Sequence, residues 1–249
     1  THCHYGTWPE TSVPYSLDQS RLINEMDRYG CDLVWMCASG PGWADNLRRQ
    51  NDRVFDFAKR HPRRVIPYCT LSSHDPARAV DELLRCMEYP YCIGVKMHRY
   101  HQPQYTVKGD FLRPILEILD ERKLVYLNHQ FINLNDLEWA AATYPGITFL
   151  AGHGVDTSIN DLACRFNNIK DSTCAAMGYR EIETEVKRLG RSDTILVGSD
   201  FGLFHMGFGI GMIAYADIEE NAKRSILGAN ALSILKKTDW WSSAGLLNT

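Results

Sequence analysis

The sequence contains no unbroken run approaching the ~20 apolar residues that a membrane-spanning helix requires. Its apolar stretch FGLFHMGFGIGMIAYA (201–216) is interrupted by glycines and by His205. No signal-peptide pattern precedes His2. Neither sign of charge dominates: the formal net charge is -3 over 249 residues. No basic stretch is interleaved with aromatics, so neither nucleic acid nor a membrane is an expected partner. C-x-x-C pairs are absent although there are eight cysteines. Several of these lie inside apolar runs such as CDLVWMC and VIPYCT, and a chain of this length buries enough core to fold without staples. They read as reduced, mostly buried thiols of a cytoplasmic protein. A glycine-rich phosphate loop after the first apolar run is also missing, which removes support for an open nucleotide-binding sheet.

What is present is alternation. Short runs rich in β-branched and aromatic residues alternate with amphipathic segments. They are HCHYG (2–6), CDLVWMCA (31–38), RVIPYCT (64–70), CIGVKMH (92–98), LVYLNH (124–129), ITFLAGH (147–153), the weaker NIKDSTCA (168–175) and TILVGSD (194–200). Most are apolar throughout, as strands of a parallel sheet buried on both faces must be. Helix signals lie between them. A capping box at Ser16-Leu17-Asp18-Gln19 opens a helix that Gly30 closes. Asp75-Pro76 supplies a cap followed by proline at the first helical position. Pro114 fits only near the start of the segment 111–123. Gly190 stops another helix, and Gly228 is expected to break the C-terminal helical stretch in two. Eight strand candidates, each followed by helix or loop, predict an α/β fold: a (β/α)8 TIM barrel in one domain spanning 1–249. Barrels of this type take ~250 residues.

In such a barrel the C-terminal strand ends face the active site. Here they carry His2 and His4, then Lys96 and His98, His129, His153 within AGHG, and Asp200 within GSDFG. Side chains alternate along a strand, so His2 and His4 point to the same side and Cys3 to the other. His2, His4, His129 and Asp200 would surround one divalent cation. Nitrogen and oxygen donors suit zinc first, with manganese, iron or nickel as further choices. An open position on such an ion activates water.

The motifs HCH, the fifth-strand histidine, GHG, GSDFG and the later ILGANALSIL together resemble the amidohydrolase superfamily. The resemblance is to its compact amidohydrolase-related branch of hydrolases and non-oxidative decarboxylases, and it spans nearly the whole chain. It implies a mononuclear site with His2, His4, His129 and Asp200 as ligands. It implies that His153 polarises the substrate or orients the attacking water. It implies, too, that Asp200 doubles as general base. Lys96 occupies the position of a bridging lysine in binuclear relatives, but that lysine is usually not a ligand in the compact branch.

Lys96 and His98 are candidates for binding a substrate carboxylate, a contact to which Arg99 could add a bidentate fork. Tyr5 and Trp8 are candidate pocket walls. His205 lies in a glycine-rich loop after Asp200 that could form a lid or subunit contact. His61 and His74 read as structural, and Trp240 and Trp241 as packing on the barrel's exterior. The leading expectation is a metal-dependent hydrolase acting on an ester, lactone or amide of a small organic acid. The alternative is a metal-dependent non-oxidative decarboxylase of an aromatic or unsaturated acid. A third reading, from another class, is a catalytically inactive ligand-binding barrel; against it, every expected ligand position is filled. Apolar segments near the C-terminal third suggest a homodimer.

Overall fold

The structure, a computed structural model, describes residues 1–6, 19–38, 47–98, 104–178 and 180–241. Trp8, Arg99, His101 and the capping residues Ser16, Leu17 and Asp18 lie outside the described residues. The strands are Cys3–Tyr5 (β1), Val34–Ala38 (β2), Val65–Thr70 (β3), Gly94–Met97 (β4), Val125–Asn128 (β5), Thr148–Ala151 (β6), Ile169–Ser172 (β7) and Ile195–Leu196 (β8). All pair in parallel, in the order β1 to β8. The segment after β8 closes the ring against β1. The Thr1 amino group donates to Val197 O at 2.7 Å, Asp200 N to His2 O at 3.0 Å, and His4 N to Phe201 O at 2.8 Å. The fold is the (β/α)8 barrel.

Helices fill the crossovers: Gln19–Arg28 (α1), Leu47–Arg60 (α2), Pro76–Cys86 (α3), Arg113–Glu121 (α4), Leu134–Thr143 (α5), Thr157–Arg165 (α6) and Glu181–Leu189 (α7). The local signals explain their ends. Asp75 accepts from Arg78 N and Pro76 opens α3. Asn133 and Asp156 each accept two backbone N–H groups at the starts of α5 and α6. Gly190 closes α7 in the left-handed region.

Alternation sorts the strand residues into two cores. Trp35, Ile66, Tyr68, Val125, Leu127, Leu150 and Leu196 point inward and pack the barrel's centre. Cys69, Val95, Tyr126, Phe149 and Ile169 point outward against the helices. Each fully buried aliphatic side chain contributes about 1.5–3 kcal/mol. The fourth strand departs from simple parity. Ile93 faces the centre, yet Val95 and Met97 face the helices. Gly94 makes the shift: its φ is +143°, and a Cβ there would sit 1.9 Å from Val125 O. Lys96 and His98 thereby share one side of their strand, opposite Val95 and Met97.

Three sequence expectations are corrected. The glycine-rich segment after His205 is a helix, Met206–Ala214 (α8). Its glycines permit close packing: Gly207 lies against Tyr29 and Gly209 against Gly198 and Ser199. Gly228 does not break the C-terminal stretch. It sits in a π-helical turn, Ser225–Ala229, which joins Glu220–Arg224 (α9) to Asn230–Leu235 (α10) without leaving helical dihedrals. Trp240 and Trp241 pack on the central core beside Ile234 and Leu235 rather than on the outside alone. All eight cysteines are free, and only Cys31 and Cys164 are not buried. Among the described residues, no helix is long and apolar enough to cross a membrane.

Candidate metal centre

The centre assembles where β1 meets the end of β8. His2 and His4 are 1% and 3% exposed. Their Nδ1 atoms lie 2.9 Å from Gly152 O and 3.2 Å from Ala38 O. A carbonyl oxygen only accepts, so Nδ1 carries a proton in each ring and Nε2 is the atom left to face a cation. This backbone contact is how a metal-binding imidazole is usually oriented. The two Nε2 atoms converge on one oxygen: His4 stands 3.1 Å and His2 3.9 Å from Asp200 Oδ1.

Asp200 is 1% exposed. Its φ is +50°, a conformation rare outside glycine. Leu203 N and Phe204 N both donate to its backbone oxygen. Neither carboxylate oxygen has a hydrogen-bond partner of good geometry. A buried, unsatisfied anion is expensive. Facing the Nε2 atoms of two imidazoles, it fits a bound cation, which would take the place of a proton on His4.

Five imidazoles form a row across the barrel mouth. Ring centroids step from His98 to His129 at 4.1 Å, to His153 at 4.0 Å, to His2 at 5.2 Å and to His4 at 4.9 Å. Burial, then the positive groups nearby, disfavours their protonated forms: His2 and His129 are held far below the ordinary histidine value, and His153 falls to about 4. Burial also works against protonated His4, but the Cys37 sulfur and Asp200 outweigh it and push His4 up to about 10. For Asp200, burial opposes ionisation, yet His4, His153 and Lys96 keep the carboxyl well below its usual range. Of these four imidazoles, only His4, beside Asp200, is favoured in its charged form.

Ligand-type atoms of His2, His153, Cys174 and Asp200 all lie within 4.8 Å of one another, as do those of His2, His4 and Cys37. Of the residues expected from sequence, His2, His4, Asp200 and His153 therefore meet, while His129 reaches them through its ring contact with His153. Lys96 is fully buried, with Nζ 2.9 Å from His2 Nε2. His98 stands at the far end of the imidazole row. Tyr5 is turned the other way, stacked on Phe57 of α2 at 5.2 Å. Strand parity explains this, since Tyr5 follows Cys3 rather than His4. His205 accepts from Gly207 N as the cap of α8 and pairs with Glu25 at 3.2 Å. Sequence reading did not single out Cys37 or Cys174. Their inward parity, Cys37 on β2 and Cys174 two residues past the end of β7, was the available signal.

Among curated proteins, none matches this sequence. Solved structures do match. The 2,6-dihydroxybenzoate decarboxylase from Rhizobium superposes with a TM-score of 0.74 at 16% identity, covering 94% of this chain and 97% of that one. The dihydroxybenzoic acid decarboxylase from Polaromonas sp. JS666, with bound manganese and 2-nitroresorcinol, gives 0.72 at 16% identity over 94% and 95%. The 5-carboxyvanillate decarboxylase from Sphingomonas paucimobilis gives 0.68 at 17% identity over 88% and 83%. A family profile described as Amidohydrolase matches residues 38–237, and the chain belongs to that family.

Proposed function

We propose that this protein is a metal-dependent, non-oxidative decarboxylase of a small hydroxylated aromatic or unsaturated carboxylic acid. The observation that carries the reading is the orphaned Asp200 carboxylate, buried against two oriented imidazoles inside a barrel like those of the dihydroxybenzoate and carboxyvanillate decarboxylases. His2, His4 and Asp200 would hold the cation, with His129 and His153 beside it; zinc and manganese both suit these donors. A divalent ion there supplies a Lewis acid for substrate oxygens and stabilises negative charge on them.

The protein's own groups do the rest. Lys96 and His98, on one side of β4, favour a substrate anion at the mouth. His153 hydrogen-bonds a substrate oxygen and fixes the ring relative to Asp200. Asp200, held as the carboxylate, first takes the proton of a substrate hydroxyl and then delivers it to the carbon that bears the carboxyl group. The bond from that carbon to the carboxyl group then breaks, and carbon dioxide leaves. The packed centre beneath the site, from Leu127 to Leu196, excludes water from this face of the substrate.

Hydrolysis of an ester, lactone or amide is the second reading, and the family's description favours it. There Asp200 takes the proton from an attacking water and His153 donates to the developing oxyanion. One experiment separates the two. The protein is loaded with zinc or manganese and incubated with 2,6-dihydroxybenzoate, 5-carboxyvanillate and related acids, and in parallel with aryl esters, lactones and amides. Carbon dioxide release that disappears in Asp200→Asn supports decarboxylation. Turnover of the neutral substrates with no carbon dioxide from any acid overturns it in favour of hydrolysis.

A further inference from the structure

We propose that Cys174 Sγ is a direct ligand of the metal centre, making its donor set nitrogen, oxygen and sulfur. The proposal rests on the metal-centre reading above and extends it to the seventh strand.

Position carries the first part of the argument. Along β7, Ile169 faces the outer helices, and Asp171 faces α6, accepting from Asn160 Nδ2 at 2.9 Å and Asp156 N at 2.7 Å. Alternation turns Lys170, Ser172 and then Cys174 to the other side. Cys174 is fully buried, and its sulfur lies within 4.8 Å of ligand atoms on His2, His153 and Asp200. The Asp200 carboxylate aimed into this cluster is the independent mark of a missing cation.

Backbone details hold the sulfur there. Cys174 N donates to Ser172 Oγ at 3.3 Å. Gly154 N donates to Cys174 O at 2.7 Å, which ties the segment carrying Cys174 to the one carrying His153. On the other side, a Cβ at Gly198 would sit 2.8 Å from Cys174 Cβ and 2.3 Å from Ser172 Oγ. Only glycine at that position lets the thiol approach the segment that carries Asp200. Ala175, the next residue, has φ of +54°, so both Asp200 and the neighbour of Cys174 hold a costly backbone state.

Burial raises the Cys174 pKa well above the ordinary thiol value, and Asp200 adds to the shift. Without a cation the group is therefore a neutral S–H. Ligation forms a metal–sulfur bond while the thiol proton leaves to bulk water, with no change of oxidation state. A thiolate among imidazole and carboxylate donors suits zinc or cobalt better than manganese. Cys37 is a different case: its Sγ lies 3.3 Å from His4 Nδ1, on the side away from Asp200, and serves as the control thiol.

The test is cobalt(II) titration of the full chain, followed by electronic absorption. Visible d–d bands report occupancy, and a near-ultraviolet sulfur-to-cobalt band reports thiolate ligation. The wild type is expected to show both. Cys174→Ser is expected to keep the visible bands and lose the near-ultraviolet band, and Cys37→Ser to keep both. A near-ultraviolet band that persists in Cys174→Ser, or that vanishes only in Cys37→Ser, overturns the proposal. Visible bands without any charge-transfer band in the wild type do the same. Absence of visible bands in the wild type overturns the metal-centre reading itself. If Cys174→Ser fails to fold, zinc-edge X-ray absorption of Cys37→Ser, which leaves Cys174 as the thiol at the centre, decides. A sulfur scatterer at ~2.3 Å supports the assignment, and a shell of nitrogen and oxygen alone refutes it.

Discussion

His4 Nε2 stands 3.1 Å from Asp200 Oδ1, so the first strand and the segment after the last meet through two side chains at the barrel's seam. Both groups are buried, and both are oriented by backbone that belongs to the seam itself. A cation at this point would satisfy the carboxylate and neutralise the site. The purified protein should therefore carry a stoichiometric divalent metal by elemental mass spectrometry. The His4→Ala, Asp200→Ala double variant should lose it while keeping the wild-type circular dichroism. Metal retained at wild-type level in that variant would place the ion elsewhere.

A ligand held only by the folded barrel must also stabilise it. With free zinc or manganese about a hundredfold above its dissociation constant, linkage gives ~2.7 kcal/mol, a Tm rise of about 5–10 °C for a chain of this size. Calorimetry with metal and with chelator measures it. The rise should vanish in Asp200→Asn, whose side chain keeps the shape but loses the charge. An equal rise in that variant would show that the stabilising ion does not use Asp200.

Much of this was legible because strand ends and chemistry coincide in the sequence. The H-x-H spacing places His2 and His4 on one face by period alone, and GHG and GSD mark later strand ends by their glycines. The turn chemistry at Asp75-Pro76 and Gly190 is local, so it needed no tertiary information. What was hidden depends on contacts distant in sequence. NIKDSTCA reads as a weak strand because Asp171 is polar, yet Asn160 and a backbone amide satisfy it in three dimensions. That weakness concealed the inward parity of Cys174. The glycines of α8 look like a loop until Tyr29 and Ser199 are seen pressed against them. Trp240 and Trp241 follow the last helix, and nothing in their neighbours tells which end of the barrel they cover.

Gly94 opens β4, at the end of the strand away from the site, and has no room for a side chain. Any Cβ there collides with the backbone of β5, and the φ of +143° is unavailable to other residues. Gly94→Ala should cost at least ~3 kcal/mol and misplace Lys96 and His98. Gly30 also has positive φ, +61°, but nothing lies within 4 Å of its missing Cβ. Gly30→Ala should cost only about 1–2 kcal/mol. Urea denaturation of the pair tests the contrast, and equal losses would mean that the β4 shift is not held by steric exclusion.

The outer face of β3 supplies a prediction about acid stability that does not involve the metal. Asn51 on α2 donates to Thr70 O at 3.0 Å and to Glu82 Oε1 at 2.8 Å. Arg85 grips Glu82 with two nitrogens, at 2.9 and 2.7 Å, and reaches Asp52 at 2.7 Å. Partial burial works against ionised Glu82, but Arg85 and Asn51 outweigh it and hold the carboxyl below its ordinary value. A carboxyl with a lowered folded pKa binds its proton more tightly in the unfolded chain. Its contribution is therefore complete above the unfolded glutamate value and disappears as pH falls through the folded one. Wild-type stability should accordingly decline more steeply between neutral pH and pH ~3 than that of Glu82→Gln, which has no proton to bind. Urea midpoints across this range make the comparison. Parallel curves would mean that the Asn51–Glu82–Arg85 link joins α2 to α3 without favouring the ionised carboxylate.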